Sequence, residues 1–541
     1  MAKCKFPISW PAILFSIFFW LIAVGQGYAL EKTWNELNNQ TLELYQQGKY
    51  LKAVEIAAKA LEAAKDSFGP YDPRLAEALY VSAQMNQTVG GYRKAEALFS
   101  DSLLIREKLR EPENHKIALC YYHLAGLYLE LGDDQLAEEN CRLALTIYRK
   151  IFGDNHPEVA DSLGLLARID LKQKKVDEAD KTIQEALAVA SQVHGKEQAD
   201  TAQILIIQSQ ISLYANKTSE SREQNQRAIS ILKKINRGKN FWFGKALLQQ
   251  GIIEKVTGKY NEAAKSFQQA RKLYETYCSP EHPVVAAALT EMAGLYKLQR
   301  KYSKALPLYR KAGLIWGKAL GAENLNIADG LVLQAETCDF LGLYRQAEWL
   351  YHQALISRKA VKGPEDREAA ECLTRQAEQC IFQAKFDYAG QLCREALSLT
   401  ENMPGLETIY ATALNLSARI AIEQSDYIRA TANVQKALEI MSKNYPKDHL
   451  EIAKCQENQA KIAIIFGNYK EAESYIKNTE TIFTKFYGLD HPYGLMVLED
   501  KYRLYKETGR EDNAEKLAKQ IQKILNKLAR DNYKSPETLS I

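Results

Sequence analysis

Apolar residues along this chain come in two helix-spaced runs per 42 residues, separated by a break that often reads Gly-x-Tyr. In one such unit the runs cover about Val284–Leu298 and Ser303–Leu320. With Tyr260 as zero, steps of 42, and one of 41, reach Tyr50, Tyr92, Asp134, Val176, Thr218, Tyr302, Tyr344, Phe386, Tyr427, Tyr469 and Glu511. Three residues after these twelve anchors stand eleven alanines and Ser221. Nine before most of them lies a second small column that includes Ala83, Ala125, Ala167, Ser209, Gly251 and Ala293. Two antiparallel helices approach within about 8–10 Å only where the crossing carries small side chains. The two columns predict that crossing in every unit, and leucines such as Leu79, Leu163 and Leu289 fill the seam beside it.

A single hairpin of this kind cannot bury its apolar face, so neighbours must stack. The expectation is an all-α solenoid of about twelve antiparallel hairpins over residues 32–529. The corners between units, such as "FGDNHPEVADSL" and "CSPEHPVVAAAL", place Gly where one helix stops and Pro157, Pro283 or Pro492 where the next begins. His156, His282, His449 and His491 recur at these corners and read as repeat features rather than bases.

The first thirty residues are a separate object. Lys3 and Lys5 precede the uncharged run Ser9–Val24, and Gly27 and Ala29 follow with a small-x-small pattern. Residues 1–29 read as a secretory signal, with an uncleaved membrane anchor as the alternative. The expected division is a signal at 1–29, repeats one to five at 30–240, repeats six to twelve at 241–529, and a tail at 530–541. The expected location is secreted or periplasmic.

The Ala columns, the Gly-x-Tyr turn, "HPxVA", and second helices such as "AEENCRLAL" (Ala137–Leu145) and "AEWLYHQAL" (Ala347–Leu355) carry a resemblance. They resemble the tetratricopeptide repeat in the 42-residue form of kinesin light chains. The resemblance implies a right-handed superhelix whose first helices line a concave groove for a peptide or protein partner. Asparagines that help clamp cargo in kinesin light chains match here only at Asn38 and Asn415, so that specificity does not carry over.

Columns 15, 12, 8 and 5 residues before each anchor are expected to face the groove. They give Tyr80 and Tyr122 early in the chain, then Asp329, Glu336, Asp339, Glu371 and Glu378, then Arg419, Lys461 and Arg503. This order suits an extended segment with basic residues at its middle, although solvated helix faces give similar patterns. Around the fifth unit, Thr218, Ser209 and Ser221 depart from the repeat and predict its weakest point. Nearby, Lys233, Lys234, Arg237, Lys239 and Lys245 surround Phe241, Trp242 and Phe243, as a loop that touches a membrane surface or partner or as a cap on the core.

A net charge of +4 on 541 residues gives no case for nucleic acid. No nucleotide-binding, zinc-protease or nucleophile-elbow motif occurs, and no cofactor or metal site is expected. The leading reading is a non-enzymatic interaction scaffold. A structural subunit of an envelope complex, binding through its edges, is the alternative, with an enzyme or effector further behind. Membrane contact is expected only through an uncleaved signal. Cys120 and Cys141 stand 14 before and 7 after one anchor, and Cys372 and Cys393 repeat those offsets. Each pair is expected at one height on facing helices, either disulfide-bonded in an oxidising compartment or chosen by packing alone.

Overall fold

A computed structural model describes residues 32–532 apart from short breaks at 48, 110–114, 194–197, 236–239, 322–323, 364–365 and 490. The expected signal at 1–29 lies outside the described residues, as does most of the expected tail. Among the described residues there is no strand, and the helices, numbered α1 (32–46) to α24 (Glu511–Asn532), form an all-α solenoid of antiparallel hairpins. No described helix is long and apolar enough to cross a membrane.

Every one of the twelve anchors is the first residue of the second helix of its hairpin. The two small columns lie where helices cross: Ala83, Ala125, Ala167 and Ala293 are fully buried, as are Ala95, Ala137, Ala179 and Ala305. Gly251 takes the alanine place in its unit because the ring of Phe267 stands 2.5 Å from where a Cβ would be. The residue two before each anchor adopts the left-handed backbone conformation wherever it is described. Glycine holds six of these turns, and Lys174, Asn216, Arg300, Ala384 and Ser425 hold the others at some steric cost.

The fifth hairpin is not left loose by its serines. Ser209 and Ser221 are fully buried, and each hydroxyl donates 2.8 Å to the other's backbone carbonyl. Gln249 Nε2 adds a third bond to the Ser209 hydroxyl at 3.2 Å. Polar small residues therefore replace alanine with their hydrogen-bonding capacity met, which removes the penalty of burying them.

Two compact units emerge, 1–295 with 314–321, and 296–313 with 322–541. The division falls inside the seventh hairpin. In the first unit the corner before α13 (Pro283–Leu298) packs against the turn before α4 (Tyr92–Lys108). Gly90 has φ 85°, and a Cβ there would lie 2.4 Å from Pro283 Cδ. Tyr92 meets the His282 ring edge-on at 6.3 Å, and Arg93 Nε donates 3.4 Å to the Leu320 carbonyl. These contacts tie hairpins six and seven back to hairpin two.

The second unit closes on itself in the same way. Phe340, at the end of α15 (Leu325–Phe340), packs against Tyr487 at 5.6 Å and His491 at 6.0 Å. Arg300 donates to the carbonyl of Lys485.

Candidate functional site

The groove-facing columns lead to different outcomes in the two units. In the second, opposite charges face one another. Glu378 on α17 (Arg367–Phe382) accepts Lys454 Nζ at 3.0 Å from α21 (Leu450–Ile465), and also the hydroxyl of Tyr493 from α23 (Pro492–Glu507). Both charged residues are about 95% buried. Burial alone would raise the Glu378 carboxyl, but Lys454 and Arg375 outweigh it and hold it down to about 2. Asp339 has no such close cation, and burial followed by repulsion from Glu378 pushes it up to about 7. Lys461 pairs with Glu457 at 2.9 Å, and Arg419 donates to Met496 Sδ at 3.1 Å and lies over Phe382. The space among Glu378, Arg419, Lys454 and Glu457 is about 10 Å³, room for one water at most.

The expected groove of acidic then basic residues is therefore corrected here. Glu378, Arg419 and Lys461 are consumed by internal contacts, as are Glu336 by Lys297 and Asp329 by Arg358. Arg375 approaches Glu371 at 3.7 Å, and Glu371 and Arg503 remain exposed. The change of sign along the chain reports self-complementarity: residues 76 apart neutralise each other once the hairpins wind together.

The first unit keeps an opening. A cavity of about 400 Å³ lies in it, lined mainly by first helices of its hairpins. Tyr122 and Gly126 of α5 (His115–Leu131), Arg168 of α7 (Pro157–Lys172), and Phe241, Trp242 and Lys245 of α11 (Phe241–Val256) line it. Tyr45, Tyr50, Tyr92 and Tyr277 add further rings, and Cys278 and His282 complete a corner. The Asn240 side chain accepts the Phe243 N–H at 2.7 Å, a helix cap that sets Phe241 and Trp242 at the first turn of α11. Gly244 lets the Tyr274 ring approach to 2.7 Å from its absent Cβ, which seats that turn.

Charge in the cavity is sparse and arranged. Arg168 Nη2 donates 3.0 Å to Glu130 Oε1. Burial would raise the Glu130 carboxyl, yet Arg168 and then Lys245 hold it below the ordinary range. Lys245 Nζ sits 4.8 Å from the Trp242 ring centre and 5.2 Å from that of Phe241. Burial, then repulsion from Arg168, lowers its ammonium to about 8 against the attraction of Glu130.

The two histidines are neutral. His123 is bracketed by Tyr80 Oη and Gln87 Oε1, each at 3.0 Å, and burial lowers it to about 4. His282 Nδ1 accepts the Val284 N–H at 3.2 Å, and burial, with Lys245 adding to it, lowers it to about 4 as well.

Of the expected residues, Tyr122 lines this cavity, while Tyr80 is buried behind it as the partner of His123. Glu130 and Arg168 were not singled out from sequence. Arg168 stands eight before its anchor and Lys245 fifteen, in the columns assigned to the groove, so reading those columns through hairpins four and six would have found both. Trp242 both lines the cavity and packs on the core that holds Ala228 and Leu232.

Cys120, Cys141, Cys372 and Cys393 are free, buried thiols. No disulfide joins them, and Cys120 and Cys141 face different neighbouring helices. Cys120 Sγ lies 3.8 Å from Ser102 on the preceding helix, whereas Cys141 donates 3.3 Å to the Ser162 carbonyl on the following one. Cys393 likewise bonds onward to Ser417. Equal height was not enough: five residues from the crossing point is about 140° around a helix. Burial pushes Cys141, Cys372 and Cys393 up to about 12, which keeps them as thiols. Among the described residues no group of side chains suits a metal ion.

The tetratricopeptide repeat model matches residues 43–108, 116–181, 164–234, 243–312 and 409–477, more than half the chain. The protein belongs to the tetratricopeptide repeat family, whose members are generally non-enzymatic protein-interaction scaffolds. No curated protein matches it. Among solved structures, a putative kinesin light chain with TPR-like repeats from Podosopora anserina is 19% identical, with TM-score 0.33, over 38% of this chain and 96% of that one. BtubC (BKLC) from P. vanneervenii is 22% identical, with TM-score 0.32, over 45% of this chain and 91% of that one. The apo quorum sensor NprR from B. thuringiensis is 14% identical, with TM-score 0.48, over 70% of this chain and 99% of that one.

Proposed function

We propose that this protein is an exported, non-enzymatic scaffold that seats a short extended segment of a protein partner in the concave cavity of its first unit. The observation that carries this reading is the contrast between the units. One concave side is occupied by the chain's own ion pairs, and the other holds about 400 Å³ walled by aromatic rings, a size and lining that suit a ligand. A side chain with its flanking backbone fills such a volume. The rings offer apolar area at low entropic cost. Among the described lining residues the histidines are held neutral and Glu130 is paired with Arg168. Export rests on the apolar run Ser9–Val24 and the small residues after it.

The test is selection from a random peptide display library on the full chain, followed by binding to Gly126→Leu. A Cβ at Gly126 meets nothing closer than 4.0 Å, and its backbone is helical, so leucine fills the cavity without strain. Selected peptides are expected to bind the native chain and to lose at least about tenfold in affinity for Gly126→Leu, from lost burial of one side chain. Equal binding to both, or no selected peptide, contradicts the reading.

A further inference from the structure

The first and last described helices of the array are finished differently. In α20 (Tyr427–Asn444) the residues 7 and 14 after the anchor are Val434 and Met441, and in α22 (Tyr469–Phe486) they are Ile476 and Phe483. All four are at most 3% exposed. Ile476 and Phe483 share a core with Val497 and Leu504 of α23, the first helix of the next hairpin. The matching residues of α24 are Ala518, which is exposed, and Leu525, which is 39% exposed. Ala514 and the half-buried Ile521 continue the same stripe along the helix. The helix seats its other apolar side chains, Leu517 and Ile524, in a core with Leu495 and Leu498 of α23. Among the described residues no helix follows α24 to cover the stripe.

The first helices show the opposite finish. Their covered positions stand 14 and 7 before the anchor: Val497 and Leu504 in α23, Ala413 and Ile420 in α19 (Glu407–Glu423), all at most 4% exposed. In α1 these positions hold Glu36 and Glu43, both exposed. Burying carboxylates there without partners is costly, so α1 presents a solvent-facing cap. The stripe on α24 is therefore poorly matched by α1 of another copy. It calls for a helix with apolar residues at its own spacing.

We propose that α24 pairs antiparallel with α24 of a second copy of this chain, forming a two-fold symmetric dimer. This goes beyond the cavity of the first unit and is independent of it. The stripe is graded: the small residues Ala514 and Ala518 come first, and the large ones, Ile521 and Leu525, follow. An antiparallel partner centred between residues 519 and 520 sets Ala514 opposite Leu525 and Ala518 opposite Ile521, large into small along the contact. Charge is graded in the same sense, with Asp512 and Glu515 early and Lys519 and Lys523 further on. A two-fold axis across the helices keeps like flanks together, so Glu515 of one copy comes within one residue of level with Lys523 of the other. Parallel pairing would instead set large against large and carboxylate beside carboxylate. About 22 Å of helix, from 511 to 525, buries less than the roughly 800 Å² per partner of a standard interface, so a micromolar dissociation constant is expected.

The test is sedimentation equilibrium of the full chain from about 1 to 100 μM. The apparent mass should rise from monomer toward dimer and stop there. Ala518→Glu, at an exposed helical position, puts a carboxylate into the apolar contact and should raise the dissociation constant at least about tenfold, with the melting temperature unchanged. Glu515→Lys should also weaken the dimer. Adding Lys523→Glu should restore it, because exchanging both signs preserves the pairing across the two-fold axis. A monomer at every concentration overturns the proposal, as does growth past the dimer or a dimer that Ala518→Glu leaves intact. Failure of the second charge change to restore association overturns the antiparallel pairing. A monomer in which α24 cross-links to residues 533–541 gives the stripe to the chain's own tail and overturns the proposal too.

Discussion

Ser209 and Ser221 lie with their hydroxyl oxygens 2.9 Å apart, buried at the crossing of the two helices of the fifth hairpin. Ala167 and Ala179 occupy this crossing in the fourth hairpin, and the serines restore by hydrogen bonding what they give up in apolar burial. The fifth hairpin should then be as protected from hydrogen exchange as the fourth. Ser209→Ala removes one donor to Ser221 and the acceptor of Gln249, and should cost about 1 kcal/mol in unfolding free energy. The double alanine variant should recover part of that loss, since both crossing positions then match those of the fourth hairpin. Faster exchange over 209–235 than in the adjacent hairpins would count against this.

Ala384 occupies the left-handed turn position with φ 56°, where other hairpins use glycine. Ala384→Gly relieves a steric cost of about 1–2 kcal/mol, part of which returns as added freedom of the unfolded chain. A net gain of about 0.5–1 kcal/mol is expected in thermal unfolding. Gly258→Ala, at φ 74° in another hairpin, should shift the midpoint in the opposite direction.

The Glu378–Lys454 pair yields a different signature. Lys454→Met leaves a buried carboxylate without its ammonium and should destabilise the second unit by about 3–5 kcal/mol. Adding Glu378→Gln removes the stranded charge, and more than half of the loss should return. Calorimetric scans of the single and double variants measure it; equal midpoints for both would show that the pair is not coupled.

Acid should weaken the first unit in a defined window. His123 and His282 titrate near 4 when folded, against an unfolded value of about 6.5. Between these values the unfolded chain binds more protons, so stability declines as pH falls from about 6.5 to 4 and gains nothing further from these groups below that. His123→Gln should remove roughly half of this dependence. Melting temperatures across that range provide the check.

The repeat register made the fold legible. All twelve anchors open helices, and the small columns lie at the crossings, because hairpin packing is a local matter of side-chain size at fixed offsets. The fate of the concave surface was not local. Lys454 reaches Glu378 across 76 residues, and His282 reaches Tyr92 across a far longer interval, only after the hairpins wind round. A column of like-signed residues looks the same whether it awaits a partner or meets its complement two hairpins on. For the cysteines, offsets along the helix conveyed height but not direction around its axis, and Cys120 and Cys141 turn to different neighbours. Tyr122 was found from its column; Arg168 and Lys245 were in equivalent columns and became meaningful only when three helices brought them to one cavity.

Photo-cross-linking of a library-selected peptide to the full chain locates the partner seat. With a photoreactive group within the bound segment, adducts mapped by peptide mass spectrometry are expected on α5 and α11, at or next to Tyr122 and Trp242, and to disappear in Gly126→Leu. Adducts concentrated on the second unit, around Glu371 or Arg503, or undiminished in Gly126→Leu, would contradict a partner seat in the first unit's cavity.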